Sequence, residues 1–361
     1  MNTRIKIITL FTLLLMALSL NAQLPIRHNA LKSNNYGVVY NLPLTQLNFK
    51  LKIAKKTYKR GAYYQYARQY LNINDPIMED KVVYSLEGIT VENVGIPNKH
   101  NSYLIEFTSN TVEPFVYLTE EGLICSINHD SPTIPQKQQE DKPAIASKGV
   151  DAQTLLTEEV LLAGSRAKQA ELIAKQIFAL RLSRTDILTG EADNMPPDGQ
   201  AYQLVIDQIN MQEKALVELF AGSVDTEHIT STVPIIPGLE DIDREVHFRF
   251  SEKLGILNAD DLAGEPIYLT LLNKTPEPEI ELSEREQRQL AKKFSEGVIY
   301  NIPSKAQLIV NYQNKTLLNT EVDVVQYGSQ DVLTKQMFDS RKQPIKVEFY
   351  PHLGAIKQIS Q

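Results

Sequence analysis

The densest group of side chains that could bind a ligand lies in a tyrosine-rich segment, residues 54–82. It combines aromatic rings with cations: Tyr58, Arg60, Tyr63, Tyr64, Tyr66, Arg68 and Tyr70. Each tyrosine offers an apolar ring and a polar hydroxyl, and arginine stacks on such rings, so this combination can bind sugars, peptides or lipid headgroups. After Gly61 the spacing is helical and places Tyr63, Tyr66 and Tyr70 on one face. The alternative is that this face packs on the β-structure around it.

A second candidate site is the acidic cluster of Asp241, Asp243 and Glu245. Residues two apart lie on the same side of a strand, so these carboxylates could converge on a metal cation or act as an acid and base pair. The alternative is a solvated strand that begins beside Gly238. Both readings fit the sequence.

Motifs that identify an enzyme are absent from the sequence. The six histidines are scattered without the spacing of zinc ligands, and there is no nucleophile elbow, phosphate-binding glycine loop or calcium loop. The one cysteine, Cys125, lies in an apolar strand-like run, which predicts a buried, inert thiol. We therefore predict no catalytic residue and no cofactor.

The N-terminus has the pattern of a secretory signal peptide. Arg4 and Lys6 precede an apolar run over residues 7–20, which is short for a membrane span of roughly 20 residues. We predict cleavage after Ala22; the alternative is an ordinary buried N-terminal helix. No cysteine lies directly after the run to accept a lipid, and no later stretch is apolar enough to span a membrane. The sequence therefore predicts an exported protein, periplasmic, extracellular or associated with the cell surface, with no lipid anchor and no transmembrane segment after cleavage.

The charge balance argues against one class of partner. The formal net charge is −7, and it becomes about −9 when Arg4 and Lys6 leave with the signal peptide. A protein that binds nucleic acid carries a basic surface to neutralise phosphates. We therefore expect no nucleic-acid partner.

Changes in composition divide the sequence into five segments. Residues 131–149 are rich in proline and polar side chains and read as a linker, and residues 273–281 read the same way. The predicted organisation is a signal peptide (1–22), an N-terminal β-module (23–130) with the tyrosine-rich insertion (54–82), a linker (131–149), a helical hairpin followed by a β-hairpin (150–272), and a short helix with a C-terminal β-module (273–361).

The central part of the chain has helical periodicity. Apolar residues recur at three- and four-residue spacing over residues 154–184 and again over residues 201–220. Between them, residues 190–199 contain two prolines and a glycine at each end, and Asp198 is placed to cap the second helix. The pattern predicts an antiparallel helical hairpin that serves as a scaffold.

Two stretches of β-type sequence match each other. Residues 37–43, Gly-Val-Val-Tyr-Asn-Leu-Pro, return as residues 297–303, Gly-Val-Ile-Tyr-Asn-Ile-Pro. Two further pairs follow in the same order: residues 89–95 with 322–328, and residues 122–127 with 354–359. The spacing indicates a duplicated β-module whose N-terminal copy carries the tyrosine-rich insertion. The alternative is that strand propensity and turn glycines make unrelated β-sequences alike.

Segments spread along nearly the whole mature chain resemble a known bacterial family. They are residues 37–49 and 58–71, the turn 181–191, the helix end 219–222, the turn 248–255 and the strand 297–303. The family is exported and catalogued as domain of unknown function 4831. The resemblance implies an envelope protein of an anaerobic Gram-negative type, and it carries no activity or site residue with it.

The sequence as a whole predicts an α+β fold in which antiparallel β-modules flank a central helical hairpin. We expect a non-enzymatic envelope protein that binds a partner protein or a glycan. The alternative is a periplasmic or secreted hydrolase that acts on glycan or peptide through a carboxylate pair. An enzyme should have a concave pocket with convergent carboxylates, whereas a binding module should lack one.

Overall fold

The computed structural model describes residues 37–106, 115–129, 150–193, 199–275, 283–295, 297–334, 337–338 and 345–360. The predicted signal peptide, the predicted linker 131–149 and the predicted capping residue Asp198 lie outside these residues.

Strands dominate the described residues, with helices concentrated in the middle of the chain. The strands are β1 (Gly37–Lys59), β2 (Lys81–Glu106), β3 (Val116–Leu118), β4 (Ile124–Ile127), β5 (Ser223–Ile235), β6 (Ile242–Ser251), β7 (Gly255–Asn258), β8 (Glu265–Asn273), β9 (Gly297–Tyr312), β10 (Lys315–Thr334), β11 (Lys346–Tyr350) and β12 (Ala355–Ser360). The helices are α1 (Ala67–Leu71), α2 (Glu158–Leu162), α3 (Arg166–Thr189), α4 (Gln200–Ala221) and α5 (Glu284–Ser295). The predicted α+β fold class is confirmed.

The strands form three antiparallel sheets, with the orders β2-β1-β5, β10-β9-β8-β6-β7 and β12-β11-β4-β3. The first two sheets are each built on a long hairpin, β1–β2 and β9–β10; the first sheet adds β5, and the second adds β8, β6 and β7. The third sheet joins the two short hairpins β3–β4 and β11–β12.

The first two sheets pack on each other through alternating apolar residues. Leu47, Phe49 and Leu51 of β1 are fully buried, and they share a core cluster with Leu269 and Leu271 of β8. Successive side chains of a strand point to opposite faces, so the intervening residues lie on the other face of each sheet. Burying each such side chain stabilises the fold by about 1.5–3 kcal/mol.

The two matching segments adopt the same local structure. Gly37 and Gly297 both begin long strands, as predicted. The Asn41 N–H donates to the carbonyl of Gly122 (2.8 Å), and the Asn301 N–H donates to the carbonyl of Gly354 (2.9 Å).

Side-chain hydrogen bonds and backbone angles also agree between the two matching segments. The Asn41 Nδ2 donates to the Glu121 carbonyl, and the Asn301 Nδ2 donates to the Leu353 carbonyl. Gly122 and Gly354 have φ of +81° and +65°, a region that suits glycine. The first and third sequence pairs are therefore equivalent in the structure.

The second sequence pair is wrong in register. Phe49 of β1 pairs with Val91, whereas its counterpart Ile309 of β9 pairs with Asn319, so Val91 does not correspond to Val324 as the sequence match predicted. Alternating apolar residues on both second strands allowed more than one alignment, because a strand pattern repeats every two residues.

The helical hairpin forms with two corrections. The predicted helix over 154–184 is divided, because α2 ends before Gly164 and α3 starts anew with Ser165, whose Oγ accepts from the Lys168 N–H at 3.2 Å. The second predicted helix corresponds to α4, where Gly199 occupies the N-cap position. Among the described residues, no helix combines the length and apolar character needed to cross a membrane.

A carboxylate clamp joins the two long helices. Glu213 of α4 accepts from Arg181 Nε at 2.6 Å and also pairs with Arg184, both on α3. Burial alone would raise the pKa of Glu213, but the two arginines outweigh it and hold the pKa below its ordinary value.

Candidate functional site

The tyrosine-rich insertion is shorter than the predicted 54–82, because β1 and β2 stay paired up to Tyr58 and Lys81, which places Tyr58 on a strand. The remaining insertion, residues 60–80, connects β1 to β2 and closes over the C-terminal end of α4. The Tyr63 N–H donates to the Leu219 carbonyl (2.7 Å), and the Ile77 N–H donates to the Ala221 carbonyl (2.8 Å). The last carbonyls of a helix lack helical partners, so the insertion supplies the donors they need. A Cβ on Gly61 would lie 2.5 Å from the Leu219 carbonyl oxygen, so the close approach requires glycine.

The predicted tyrosine face packs on the helical hairpin. Tyr63, Tyr66 and Tyr70 are half-buried against a core that contains Phe220, and the rings of Tyr63 and Phe220 lie 5.9 Å apart. The Tyr63 hydroxyl donates to Gln169 Oε1 at 3.1 Å. The packing alternative from the sequence thus describes these three rings, with helices as the partner instead of β-structure.

The remaining members of the predicted binding set lie around this contact. The Arg60 guanidinium lies 5.1 Å from the ring centre of Tyr64, and Lys81 lies 5.1 Å from that of Tyr58. Both tyrosines are half-buried, and Arg60 and Arg68 are exposed. The cations that the sequence paired with tyrosines therefore cover the outside of the insertion.

The acidic cluster does not have the geometry that strand alternation predicted. Ile242 pairs with Leu271 while Glu245 pairs with Leu269, so Asp243 and Arg244 form a bulge, and Arg244 has φ of +53°. The bulge interrupts the alternation that would align Asp241, Asp243 and Glu245. Asp241 Oδ1 instead accepts from the Asn273 N–H at 2.8 Å. Within the described part of the chain, no three His, Cys, Asp or Glu residues are arranged to hold a metal ion.

A polar pocket lies beside the β9–β10 turn, at the tip of the second long hairpin. We call it the tip pocket. It has a volume of about 340 Å³ and is lined by Arg244, Glu265, Pro266, Tyr268, Asn311, Tyr312, Gln313 and Asn314. Three neighbouring strands, β6, β8 and β9, and the turn after β9 contribute to it, so the sheet holds these residues in place.

Two tyrosines form the aromatic part of the tip pocket. Tyr268 points away from the core because its neighbours Ile267 and Leu269 are buried on the inner face. The Arg244 guanidinium lies 5.4 Å from the Tyr268 ring centre. Burial, with help from nearby glutamates, raises the pKa of Tyr312, so its hydroxyl remains a neutral hydrogen-bonding group.

The polar side chains of the tip pocket are partly paired with each other. Gln313 Nε2 donates to Glu265 Oε2 at 2.6 Å. The Thr316 hydroxyl donates to Asn311 Oδ1 at 2.8 Å. This bond fixes the orientation of the Asn311 side-chain amide, and with it the direction of its N–H groups. The pocket therefore presents oriented amide groups at its surface.

Positive backbone φ angles concentrate at the tip pocket. Of the described non-glycine residues, five have positive φ, and three of these, Arg244, Gln313 and Asn314, line the pocket. The left-handed conformation costs an ordinary L-residue about 1–2 kcal/mol and is rarer for Arg and Gln than for Asn. At Gln313 and Asn314 this conformation belongs to the two-residue turn between β9 and β10, and at Arg244 it belongs to the bulge in β6.

Sequence reasoning missed the tip pocket because its residues are dispersed. Arg244 and Asn314 are far apart in the chain, and only the pairing of β6, β8 and β9 brings them together. One signal was present: Gln313 and Asn314 lie between two alternating strand patterns, as a two-residue hairpin turn does.

The fold and the tip pocket together define an α+β protein made of two matching hairpin modules, a helical hairpin and a polar surface site. The chain belongs to the family described as domain of unknown function 4831 (DUF4831), whose model matches residues 36–357. No curated protein and no solved structure matches the chain.

Proposed function

We propose that this protein is an exported, non-enzymatic envelope protein that binds a glycan in the tip pocket. The observation that carries the proposal is the combination of an outward-facing tyrosine, Tyr268, with amides and an arginine on a rigid sheet. Aromatic rings supply flat apolar contact, and a few placed polar groups supply orientation. The bulge at Arg244 brings its guanidinium to the Tyr268 ring, so the cation and the aromatic ring of the pocket lie side by side.

The same pocket supports binding over hydrolysis. Glycoside hydrolysis uses two carboxyl groups that flank the scissile bond. Glu265 is the one carboxylate among the eight described residues that line the pocket, and it is already bonded to Gln313. A single paired carboxylate does not provide both an acid and a base, so the hydrolase alternative has no support here.

A glycan also suits the pocket better than a protein partner does. The eight lining residues include no Leu, Ile, Val, Met or Phe, and Pro266 is the one aliphatic member. Peptide recognition commonly adds apolar side-chain anchors or strand pairing to the polar contacts. Amides, an arginine and two phenols instead match a ligand that is covered with hydroxyl groups.

Export is the second part of the proposal. It is supported by the charged start and the apolar run of residues 1–22 and by Ala22 before the predicted cut. N-terminal sequencing of protein isolated from its native cells should find Gln23 or a residue within a few positions of it. Finding Met1 on that protein would contradict export.

The glycan proposal is tested by binding of the purified mature protein to an array of bacterial envelope glycans. Wild type should bind a defined subset, and Tyr268→Ala should weaken that binding at least tenfold, since ring stacking is lost. Tyr117→Ala is the matched control, because Tyr117 is an exposed tyrosine on β3 of a different sheet. Equal binding by Tyr268→Ala and wild type would reject the pocket, and new reducing ends on the array would indicate hydrolysis.

A further inference from the structure

The Arg244 side chain is the strongest clue to the kind of glycan. Within the described residues its guanidinium forms no ion pair, and its one recorded partner is the ring of Tyr268. Glu265, the one carboxylate among the described residues that line the pocket, accepts from Gln313 and forms no ion pair with Arg244. An unpaired guanidinium at the wall of a pocket is a binding position for an anion.

The backbone holds this guanidinium over the pocket. Arg244 adopts φ of +53°, and its N–H donates to Thr270 Oγ1 at 3.2 Å. This conformation is part of the bulge in β6, and from it the Arg244 side chain reaches Tyr268 on the neighbouring strand β8. The bulge therefore fixes the position from which the Arg244 side chain extends.

We infer that the tip pocket selects an acidic sugar, with the sugar carboxylate bound by the Arg244 guanidinium and the sugar ring beside Tyr268. This inference rests on the proposed glycan-binding function. Arginine presents paired N–H donors that match the two oxygens of a carboxylate, and such charge-assisted bonds are about twice as strong as neutral ones. The Asn311 amide N–H groups and the Gln313 Oε1 remain for hydroxyl groups of the same sugar.

The test is an array on which each acidic oligosaccharide stands beside its carboxyl-reduced form, which is neutral and otherwise has the same linkages. Wild type should bind acidic members about tenfold more tightly than their reduced forms. Arg244→Gln should remove the preference while it retains the weaker binding to reduced forms. Arg288→Gln is the matched control, because Arg288 is an exposed arginine on α5 that pairs with Glu284, and it should retain the preference.

The possible results separate the inference from the proposed function. Equal binding of acidic and reduced forms by wild type would overturn the acidic preference and leave glycan binding intact. Binding to no array member would overturn both. Peptides with a free C-terminal carboxylate are included on the same array, and binding to these alone would overturn the assignment to a sugar.

Discussion

The tips of the two long hairpins occupy equivalent positions and have opposite surroundings. In the N-terminal module, β1 and β2 are joined by residues 60–80, which close over the end of α4. In the C-terminal module, β9 and β10 are joined by Gln313 and Asn314 alone, and the tip borders an open polar pocket. The module with the rich aromatic sequence uses it for internal packing, and the plainer module presents a surface site.

The difference shows why aromatic density alone is a poor guide to a binding site. Tyrosines with interleaved cations serve a helix end as well as a ligand, since both need apolar contact and hydrogen bonds. Here the insertion meets unpaired carbonyls of α4, such as that of Leu219, and a buried ring, Phe220. The lining of the tip pocket has fewer aromatic residues: Tyr312 packs on the core beside Phe250, whereas Tyr268 faces outward beside Arg244, which forms no ion pair within the described residues.

The largest expected effect is a loss of stability at the N-terminal tip. Phe220→Ala should lower the free energy of unfolding by about 3–5 kcal/mol, because a fully buried phenylalanine is lost from the core beneath Tyr63. Chemical denaturation measures this change. Phe178→Ala is the matched control on α3, where the ring is half-exposed and the loss should be much smaller. Similar losses at both positions would show that the insertion does not seal a core.

Part of this contrast could be predicted from the sequence. Local patterns predicted the α+β class, the helices near α3 and α4, and the strands that begin at Gly37 and Gly297, because periodicity and turn residues act over short distances. The site depends on which strands become neighbours and where a bulge falls. Arg244 reaches Tyr268 through such a bulge, and no local pattern encodes that contact.

A smaller effect concerns the clamp that holds α3 against α4. Glu213→Gln should cost about 1 kcal/mol at pH 7, since two arginines lose their charged partner. The folded pKa of Glu213 lies below its ordinary value of 4.5, so the carboxylate contributes its stability above that pH, and the contribution disappears as the pH falls through the folded pKa. Unfolding free energies of wild type and variant should therefore converge in acid. A difference that stays constant down to low pH would contradict the clamp.

The smallest expected effect is a difference in stability between two variants of Arg244, at the C-terminal tip. Arg244→Gly should be more stable than Arg244→Ala by about 1 kcal/mol, because glycine adopts positive φ without steric cost. Both variants should lose the preference for acidic glycans, since both lack the guanidinium. Thermal denaturation and the glycan array measure the two properties. Equal stability of the Gly and Ala variants would show that the bulge stores no strain.

The central claim is that the N-terminal tip serves internal packing and the C-terminal tip binds the ligand. One paired measurement tests it most directly. Unfolding free energy and glycan-array binding are measured for Tyr66→Ala, at the N-terminal tip, and for Tyr268→Ala, in the tip pocket. Tyr66→Ala should lose about 2 kcal/mol of stability, because a half-buried ring is removed, and should keep wild-type binding. Tyr268→Ala should keep nearly all of its stability and lose binding at least tenfold. The reverse result, with binding lost in Tyr66→Ala and retained in Tyr268→Ala, would contradict the account.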